Sequence, residues 1–410
     1  MPPRRRTRVI TDPQAFAGDR PWLWLIGIGE DGLSGLAPAS RETLARAEIV
    51  FGGPRHLALA QVGARGRPWP VPFSVAPVLE CRGRLVVVLA SGDPFWHGVG
   101  GSLAKHLSPG EWISRPAPST FSLAAARLGW RLEEVTCLGL HAAPLETVLP
   151  HLVGGLRAIC LLRDGTAASA LAALLTARDF GDSRLWVMEA LGGGCERIRA
   201  TQAKEFNITD AAAPLAMAII AEGAPGLPRT SGLPDDSFMH DGQITKRPVR
   251  ALTLSALAPR PGELLWDIGA GSGSISVEWC LAGGRAMAVE PRATRAGHIR
   301  ANAAAFGIAG RLTVVIGTAP DALAGLPTPD AIFVGGGGNS GLFDLLWVAM
   351  TPGVRLVANA VTLETEALLI AQQAQRGGDL LRIELAQVSP LGAMRGWLPS
   401  RPVVQWSAVK

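Results

Sequence analysis

Tyrosine is absent from this sequence of 410 residues, and cysteine is scarce. The five cysteines are scattered, at positions 81, 137, 160, 195 and 280, and no two of them form a C-x-x-C pair. Neither a disulfide framework nor a zinc site is indicated, so we predict a chain without a metal site in a reducing cytoplasm. We interpret the missing tyrosine, beside 49 glycines and 12 tryptophans, as a bias of the genome rather than a sign of function.

Long apolar runs are also missing. No run approaches the roughly 18 residues that indicate a membrane-spanning helix, although 48% of the residues are hydrophobic. The basic start at 1–6 is not followed by an apolar segment, which argues against a secretory signal. We expect a cytoplasmic protein that has no membrane partner.

Positive charge comes almost entirely from arginine, because lysine occurs only at positions 105, 204, 246 and 410. The net charge is +5, yet Arg4–Arg6 is the only basic run, and nucleic-acid binding favours clustered basic residues. We therefore predict no nucleic-acid partner. The dispersed arginines fit either a solvated surface or a pocket for an acidic small molecule, because guanidinium groups bind carboxylates through paired hydrogen bonds.

Apolar, β-branched runs alternate with helical patterns in both halves of the chain, which predicts two different α/β domains. The segment 223–234 is rich in glycine and proline and cannot lie inside a helix or a strand. We predict domains at 1–222 and 241–410, joined by a linker at 223–240. The predicted strands are 22–28, 47–51, 85–90, 134–140, 157–162, 185–190 and 214–220 in the first half, and 264–268, 285–289, 312–316, 330–334, 354–358, 380–386 and 402–408 in the second.

The first glycine motif, G-x-G-x-x-G at 27–32, follows an apolar run and has the spacing of a dinucleotide-binding loop. Such a loop must open directly into a helix, since the pyrophosphate binds at the helix N-terminus. Gly35 and Pro38 argue against a helix at that point, and the next predicted strand ends in Gly52-Gly53 where an acid is expected. The sequence therefore favours an ordinary strand-to-loop turn here over an NAD site.

The second glycine motif, D-I-G-A-G-S-G at 267–273, meets both requirements. An apolar strand precedes it, and a helical pattern follows directly. The next predicted strand ends in Glu290, about 20 residues further on, where a carboxylate can accept hydrogen bonds from ribose hydroxyls. The second half is therefore predicted to bind a cofactor that contains a nucleoside.

The D-x-G-x-G-x-G pattern, with an acid at the end of the next strand, resembles the class I S-adenosylmethionine (SAM) methyltransferases. The resemblance implies that the glycine loop holds the methionine and ribose parts of SAM. It also implies that Asp267 directs negative charge toward this cationic ligand, and that the segment after the third strand lines the adenine pocket. The implied cofactor-binding residues of this half are Gly269, Ala270, Gly271, Ser272, Gly273, Glu290, Thr318 and Ala319.

Four consecutive glycines, Gly335–Gly338, follow the fourth predicted strand of the second half. Methylases that act on exocyclic base nitrogens carry N/D-P-P-Y/F at this point, with an aromatic ring that stacks on a flipped base. The glycines fit either the approach of a large, flat ligand or a flexible loop, and the sequence leaves both interpretations open.

The first half resembles the tetrapyrrole (class III) methylases. The stretch S-G-D-P-F-W-H-G at 91–98 is similar to their G-D-P-x-x-x-G loop, and 27–32 is similar to their N-terminal glycine loop. The stretches 52–57, 118–129, 189–192 and 196–198 resemble further segments of that family. The resemblance implies a fold of two α/β subdomains with a second SAM site, whose binding residues are Ser91, Gly92, Asp93, Ser119 and Thr120.

The second half further resembles the decarboxylating precorrin methylases of cobalamin biosynthesis. The stretches G-L-P-D-D-S-F at 232–238 and I-T-K at 244–246 are similar to the beginning of that domain, which makes Thr245 an implied cofactor contact. A class III unit fused to this Rossmann-like class I unit implies an enzyme with two SAM sites and a polycarboxylate tetrapyrrole substrate. The implied reaction is methylation of a precorrin at carbons 5 and 15, with loss of the ring C acetate carboxyl as carbon dioxide. We also expect a homo-oligomer.

Methyl transfer from a sulfonium requires mainly alignment and exclusion of water, which is consistent with a sequence that shows no Ser-His-Asp triad and no metal-ligand spacing. The seven histidines are interpreted as structural, except that His97 and His141 lie at predicted strand ends facing the first cleft. Arg292 and Arg295 are candidates for binding substrate carboxylates. Three alternatives remain: an RNA methyltransferase with an N-terminal binding module, an NAD oxidoreductase, and a one-site enzyme whose first half serves only in interaction.

Overall fold

The computed structural model describes residues 21–410, so the basic run Arg4–Arg6 lies outside the described residues. Contacts divide the described chain into two compact units. The N-terminal unit consists of 21–142 and 153–224, and the C-terminal unit consists of 143–152 and 225–410. Each unit has its own sheets and its own hydrophobic cores.

The first sheet of the N-terminal unit is parallel throughout. Its strands are β1 (Leu23–Ile28), β2 (Ile49–Gly52), β3 (Gly66–Pro68), β4 (Val86–Ser91) and β5 (Trp112–Arg115), and its helices are α1 (Pro38–Arg46), α2 (Pro54–Leu59), α3 (Ala76–Leu79) and α4 (Gly100–Ala104). The strands pair in the order β3-β2-β4-β1-β5. Ile26 and Ile28 enter the core on one face, and Leu23 and Leu25 enter the core on the other. Burial on both faces explains why the central strands are continuous apolar runs.

The second sheet of the N-terminal unit is mostly antiparallel. It contains β6 (Thr136–Gly139), β7 (Arg157–Leu162), β8 (Arg184–Glu189), β9 (Arg197–Gln202) and β10 (Leu215–Ile220), with α5 (Thr120–Leu128) and α6 (Gly165–Ala177). The order is β6-β7-β10-β8-β9, and only β6 and β7 are parallel among these pairs. Ser119 precedes α5 and its hydroxyl accepts a hydrogen bond from the Ser122 amide, and the left-handed Gly129 follows the last residue of the helix. These ends fit the preference for serine before a helix and glycine after it.

The C-terminal unit is built on a seven-stranded sheet. Its elements are α7 (Arg247–Leu257), β11 (Leu264–Ile268), α8 (Ser274–Leu281), β12 (Arg285–Glu290), α9 (Ala293–Ala305), β13 (Leu312–Ile316), β14 (Ala331–Val334), α10 (Ser340–Ala349), β15 (Arg355–Ala360), α11 (Leu363–Arg376), β16 (Asp379–Ile383), β19 (Val403–Val409) and the separate hairpin β17 (Ala386–Leu391) and β18 (Met394–Pro399). The order is β13-β12-β11-β14-β15-β19-β16. The first five strands are parallel, and β19 and β16 add antiparallel pairs. In such a doubly wound sheet, ligands bind at the carboxyl ends of the strands where the order reverses, here between β11 and β14.

The segment 143–152 packs within the C-terminal unit, although the chain on both sides of it belongs to the N-terminal unit. The carbonyl oxygen of Glu146 lies against Gly307, where an added Cβ atom would come within 1.9 Å of that oxygen. His151 is also packed in this unit, since burial, followed by the charges of Arg311 and Arg229, lowers the pKa of its imidazole. The two compact units are therefore not divided at a single position in the sequence, because 143–152 interrupts the N-terminal unit.

The α/β architecture predicted from the sequence is confirmed. Each of the predicted strands occurs, with ends that differ by no more than three residues, while β3, β5, β9, β17 and β18 were not predicted. No α-helix opens at the first glycine motif, because α1 begins only at Pro38. Among residues 21–410, no helix has the length and apolar character needed to cross a bilayer, and no cluster of His, Cys, Asp or Glu side chains could hold a metal ion.

Candidate active sites

The loop between β11 and α8 carries three glycines in the left-handed region. Gly269, Gly271 and Gly273 have φ angles of 70°, 60° and 72°, which side chains with a Cβ atom rarely adopt. A Cβ atom added at Gly269 would lie 2.6 Å from the backbone oxygen of Gly336. The exits of β11 and β14 therefore touch through bare backbone at the point where the strand order reverses.

Glu290 ends β12 beside this loop, and its carboxylate is fixed by the backbone. One oxygen accepts a hydrogen bond from the Gly271 amide at 2.9 Å, and the other accepts one from the Arg292 amide at 3.1 Å. The residue is 3% exposed. Each carboxylate oxygen has a further lone pair, so Glu290 presents two oriented acceptors.

A cleft of about 200 Å³, which we call the C-terminal cleft, opens beside Glu290. Its walls include Gly269, Thr318 and Ala319, as well as Gly336 and Gly337 from the exit of β14. The other residues implied by the sequence do not line this cleft. These are Ala270, Gly271, Ser272, Gly273 and Thr245.

Asp267 does not face the C-terminal cleft, contrary to the expectation that it directs charge toward a cationic ligand. The residue is 1% exposed, and one carboxylate oxygen accepts hydrogen bonds from the amide and the hydroxyl of Ser276, at 3.2 and 2.6 Å. Burial raises the pKa of this carboxyl to about 6. Because side chains alternate along a strand, Asp267 inside β11 points to α8 and holds its first turn.

A buried ion pair fixes the segment that precedes α7. Arg250 is fully buried and donates to the Glu278 carboxylate at 2.6 Å and to Asp235 at 3.0 Å. Glu278 also accepts the amides of Gly232 and Leu233, at 2.6 and 3.0 Å. Part of the predicted linker is therefore packed tightly onto the C-terminal unit.

The same network reaches the glycine loop through the backbone. Arg250 donates to the carbonyl oxygen of Thr245. Two residues earlier, the carbonyl oxygen of Gln243 lies 3.5 Å from the position of a Cβ atom added at Gly271. Thr245 thus belongs to a segment that lies over the glycine loop, although its side chain is not part of the cleft wall.

A larger cleft of about 510 Å³, which we call the N-terminal cleft, lies between the two sheets of the N-terminal unit. Ser91 at the end of β4 lines it, and so do Ser119 and Thr120 at the start of α5. Leu161 and Leu215 contribute from the second sheet. Three of the five residues implied by the sequence are therefore brought together in one cleft.

Gly92 and Asp93 shape the loop beside this cleft rather than line it. The Gly92 amide donates to the Ile28 carbonyl at 3.2 Å, and its own carbonyl accepts the Ala117 amide at 3.0 Å. A Cβ atom added at Gly92 would lie 2.6 Å from the Cα atom of Ser119. Asp93 accepts the Phe95 amide at 2.8 Å, which forms a tight turn of its own.

One polar cluster in the N-terminal cleft was not predicted from the sequence. Arg55 Nη2 lies 2.9 Å from Ser91 Oγ and 3.0 Å from His56 Nε2, and His56 Nε2 lies 2.8 Å from Ser91 Oγ. Arg55 is also paired with Glu30. Burial, followed by the charge of Arg55, lowers the pKa of His56 to about 4. His56 is therefore a neutral imidazole whose Nε2 atom is already used within the cluster.

Two domain families match this chain. Tetrapyrrole (corrin/porphyrin) methylases match residues 22–207, and the precorrin methyltransferase domain matches residues 236–410. A precorrin-6Y C(5,15)-methyltransferase [decarboxylating] from Sinorhizobium sp is 50% identical over 401 residues, which cover 95% of this chain and 97% of that protein. The chain belongs to this methyltransferase family.

A second member of the precorrin-6Y C(5,15)-methyltransferase family, from Mycobacterium tuberculosis (strain CDC 1551 / Oshkosh), is 42% identical over 392 residues, which cover 94% of this chain and 99% of that protein. A shorter relative from Pyrobaculum calidifontis is named a probable cobalt-precorrin-6B C(15)-methyltransferase (decarboxylating). It is 38% identical over 157 residues, which cover 37% of this chain and 80% of that protein. The family resemblances inferred from the sequence are confirmed.

Methyltransferases of this family use SAM, and the C-terminal cleft has features that fit this cofactor. Glu290 offers fixed acceptors for a ribose diol, and Gly269 leaves the backbone bare where a Cβ atom would collide. The N-terminal cleft fits by its size and by the hydroxyls of Ser91, Ser119 and Thr120.

Proposed function

We propose that the chain methylates precorrin-6Y at carbons 5 and 15 and decarboxylates its ring C acetate, giving precorrin-8 in cobalamin biosynthesis. The observation that carries this proposal is the presence of two clefts, one in each of two independent α/β units. Each cleft contains residues that the sequence implied for SAM. A single methylation would need only one such site.

In the C-terminal cleft, we assign ribose binding to Glu290 and adenine contact to Thr318 and Ala319, which line the same cleft. The loop 269–273 holds the methionine part, and the segment around Thr245 covers it. Bound SAM supplies an electrophilic methyl group on a sulfonium. The chain's own contribution is to fix the position of that group and to exclude water around it.

In the N-terminal cleft, we assign a second SAM site to the hydroxyls of Ser91, Ser119 and Thr120. Gly92 and Asp93 act indirectly, since they hold the loop after β4 in the shape that leaves the cleft open. The Arg55–His56–Ser91 cluster keeps the Ser91 hydroxyl in one orientation. Two SAM sites for each chain follow from this assignment.

Arg292 is the stronger candidate of two arginines for a substrate carboxylate. It lines the C-terminal cleft, and its guanidinium has no hydrogen-bond or ion-pair partner among residues 21–410. Arg295 lines the same cleft but is paired with Asp241 at 2.8 Å. A free guanidinium can form two hydrogen bonds to one carboxylate, which suits a polycarboxylate tetrapyrrole.

We assign methylation at carbon 15 and decarboxylation to the C-terminal domain, 241–410, and methylation at carbon 5 to the N-terminal domain, 1–222, with 223–240 between them. The relative named for carbon 15 methylation and decarboxylation matches only 37% of this chain, which supports a single domain for both steps. Decarboxylation needs an electron sink, and the conjugated macrocycle of the substrate can serve as one. The backbone exit at Gly336 and Gly337 leaves room for a flat ligand beside the SAM site.

The deciding experiment is incubation of the full chain with SAM and precorrin-6Y, followed by mass spectrometry of the tetrapyrrole. We expect a product that has gained two methyl groups and lost one carbon dioxide. An unchanged tetrapyrrole mass would contradict the proposal. None of the relatives described above is named an RNA methyltransferase. A filter-binding assay tests the predicted lack of nucleic-acid binding directly. The cytoplasmic location and the homo-oligomeric state stay predictions, and light scattering measures the latter.

A further inference from the structure

Methylation of a ring carbon that carries hydrogen releases a proton, and this requirement follows from the proposed function. The ring carbon uses a π electron pair to form the new carbon–carbon bond, while the carbon–sulfur pair goes to sulfur. The electrons of the carbon–hydrogen bond then restore the ring double bond. The proton must pass to an acceptor in the cleft where the methyl group was transferred.

Two imidazoles in the N-terminal cleft are free to accept such a proton. His97 lies in the loop after β4, His141 follows β6, and both line the cleft. Within the part of the chain that the structure describes, neither imidazole has a hydrogen-bond partner. His56 differs from both, because its Nε2 atom is held by Arg55 and Ser91.

The backbone and the packing hold His97 in an unusual position. Its φ angle is 55°, in the left-handed region that residues with a side chain seldom adopt. The ring lies 5.8 Å from the ring of Phe121, and its Nδ1 atom would lie 2.7 Å from a Cβ atom added at Gly139. Glycine at 139 therefore makes room for the imidazole. Strained backbone of this kind persists where the surrounding structure enforces it, often at functional sites.

The two imidazoles influence each other electrostatically. Burial, followed by the charge of His97, lowers the pKa of His141, so this imidazole is neutral at neutral pH. The other charged or titratable groups that line the cleft are Arg55, His56 and Arg163. Of these, His56 has its pKa lowered to about 4 and the arginines cannot accept a proton, so none of the three can serve as the base.

We propose that His141, with His97 beside it, accepts the proton that leaves the carbon methylated in the N-terminal cleft. The neutral imidazole of His141 takes the proton on a ring nitrogen and becomes an imidazolium. No other acceptor is required, and the atoms balance with one thioether, one methylated ring and one imidazolium formed. The imidazolium then releases its proton to solvent.

The test uses the full chain carrying His141→Gln, His97→Gln or, as a matched control, the exposed His106→Gln, which does not line the cleft. Methylation at carbon 5 is followed under single-turnover conditions by mass spectrometry. We expect His141→Gln to lower this rate roughly 100-fold or more and His106→Gln to leave it unchanged. Because the pKa of His141 is lowered, wild-type activity should rise with pH in a range below about 6.5, the ordinary pKa of an imidazole, and this rise should be absent in His141→Gln.

Two further readouts separate the proton role from other failures. Binding of S-adenosylhomocysteine at both sites, and carbon dioxide release, should be the same in His141→Gln as in the wild type. A wild-type rate and pH profile in His141→Gln would overturn the inference while leaving the proposed function intact. A wild-type chain that adds no methyl group would instead refute the proposed function itself, and the inference with it.

Discussion

Replacing Glu290 with alanine should weaken SAM binding at one of the two proposed sites. Glu290 is 3% exposed, and its carboxylate is oriented by the Gly271 and Arg292 amides, so it is ready to accept hydrogen bonds from a ribose. A hydrogen bond to a charged group contributes about 1.5–3 kcal/mol. Its loss corresponds to roughly a ten- to 150-fold lower affinity at the C-terminal cleft.

The assay is titration calorimetry of the full chain with S-adenosylhomocysteine, the product of methyl transfer. The wild type should bind close to two ligands for each chain, whereas Glu290→Ala should retain one site of unchanged affinity. Glu290→Gln keeps one carbonyl acceptor and should lose less. The control is Glu364→Ala, which removes an exposed acid at the start of α11 in the same unit.

Two results would refute this reasoning. An unchanged affinity at both sites in Glu290→Ala would exclude the ribose role. A wild-type stoichiometry of one would exclude the pair of sites. A thermal unfolding curve of each variant identifies any general loss of folding, because the two amides held by Glu290 also lose their acceptor.

Three further predictions concern folding and the separation of the two reactions. Because burial raises the pKa of Asp267 to about 6, the folded state keeps this proton longer than the unfolded state, and the contribution of this carboxyl to stability falls as pH rises from about 4 to 6. Asp267→Asn should remove this fall and raise the free energy of unfolding at pH 7 by up to about 3 kcal/mol. Urea unfolding at pH 4 and pH 7 measures this change. The same pH dependence of the free energy of unfolding in the variant and the wild type would contradict the prediction. Arg250→Met leaves Glu278 buried without its counter-charge and should lower the free energy of unfolding by about 3–5 kcal/mol. Adding Glu278→Gln should recover part of this loss. No recovery in the double variant would show that the ion pair is unimportant. Thr120→Trp fills the N-terminal cleft, so mass spectrometry should show a product that has gained one methyl group and lost carbon dioxide. Glu290→Ala should instead favour methylation without loss of carbon dioxide. Loss of both reactions in a folded Thr120→Trp would argue against separate sites.

The central strands could be predicted because their burial is written in the local sequence. β1 and β11 are covered on both faces, so they read as short apolar runs between turn residues. β9 escaped prediction because it is an edge strand with an alternating polar pattern, in which Arg197 and Arg199 pair with Glu189. That stabilisation comes from a neighbouring strand and has no local signature.

The same distinction holds for the sites. The glycine loop and Glu290 could be predicted because a strand, a loop and a helix follow one another in sequence. The cluster of Arg55, His56 and Ser91 could not, since Ser91 lies 35 residues from His56 and 36 from Arg55, and they meet only through the pairing of parallel strands. The direction of Asp267 was also beyond the motif, because the side to which a strand residue points depends on the exact register at its end.

The position of 143–152 has a consequence for the way the chain is made and cut. These residues pack with partners such as Gly307, which the ribosome adds about 155 residues later (307 − 152). The segment therefore stays without its packing partners while 153–224 is synthesised. A protease that cuts once in the glycine- and proline-rich stretch 223–231 would leave 143–152 attached to the N-terminal fragment. The two fragments would then stay associated without a covalent bond, because 143–152 of the N-terminal fragment remains packed in the C-terminal unit.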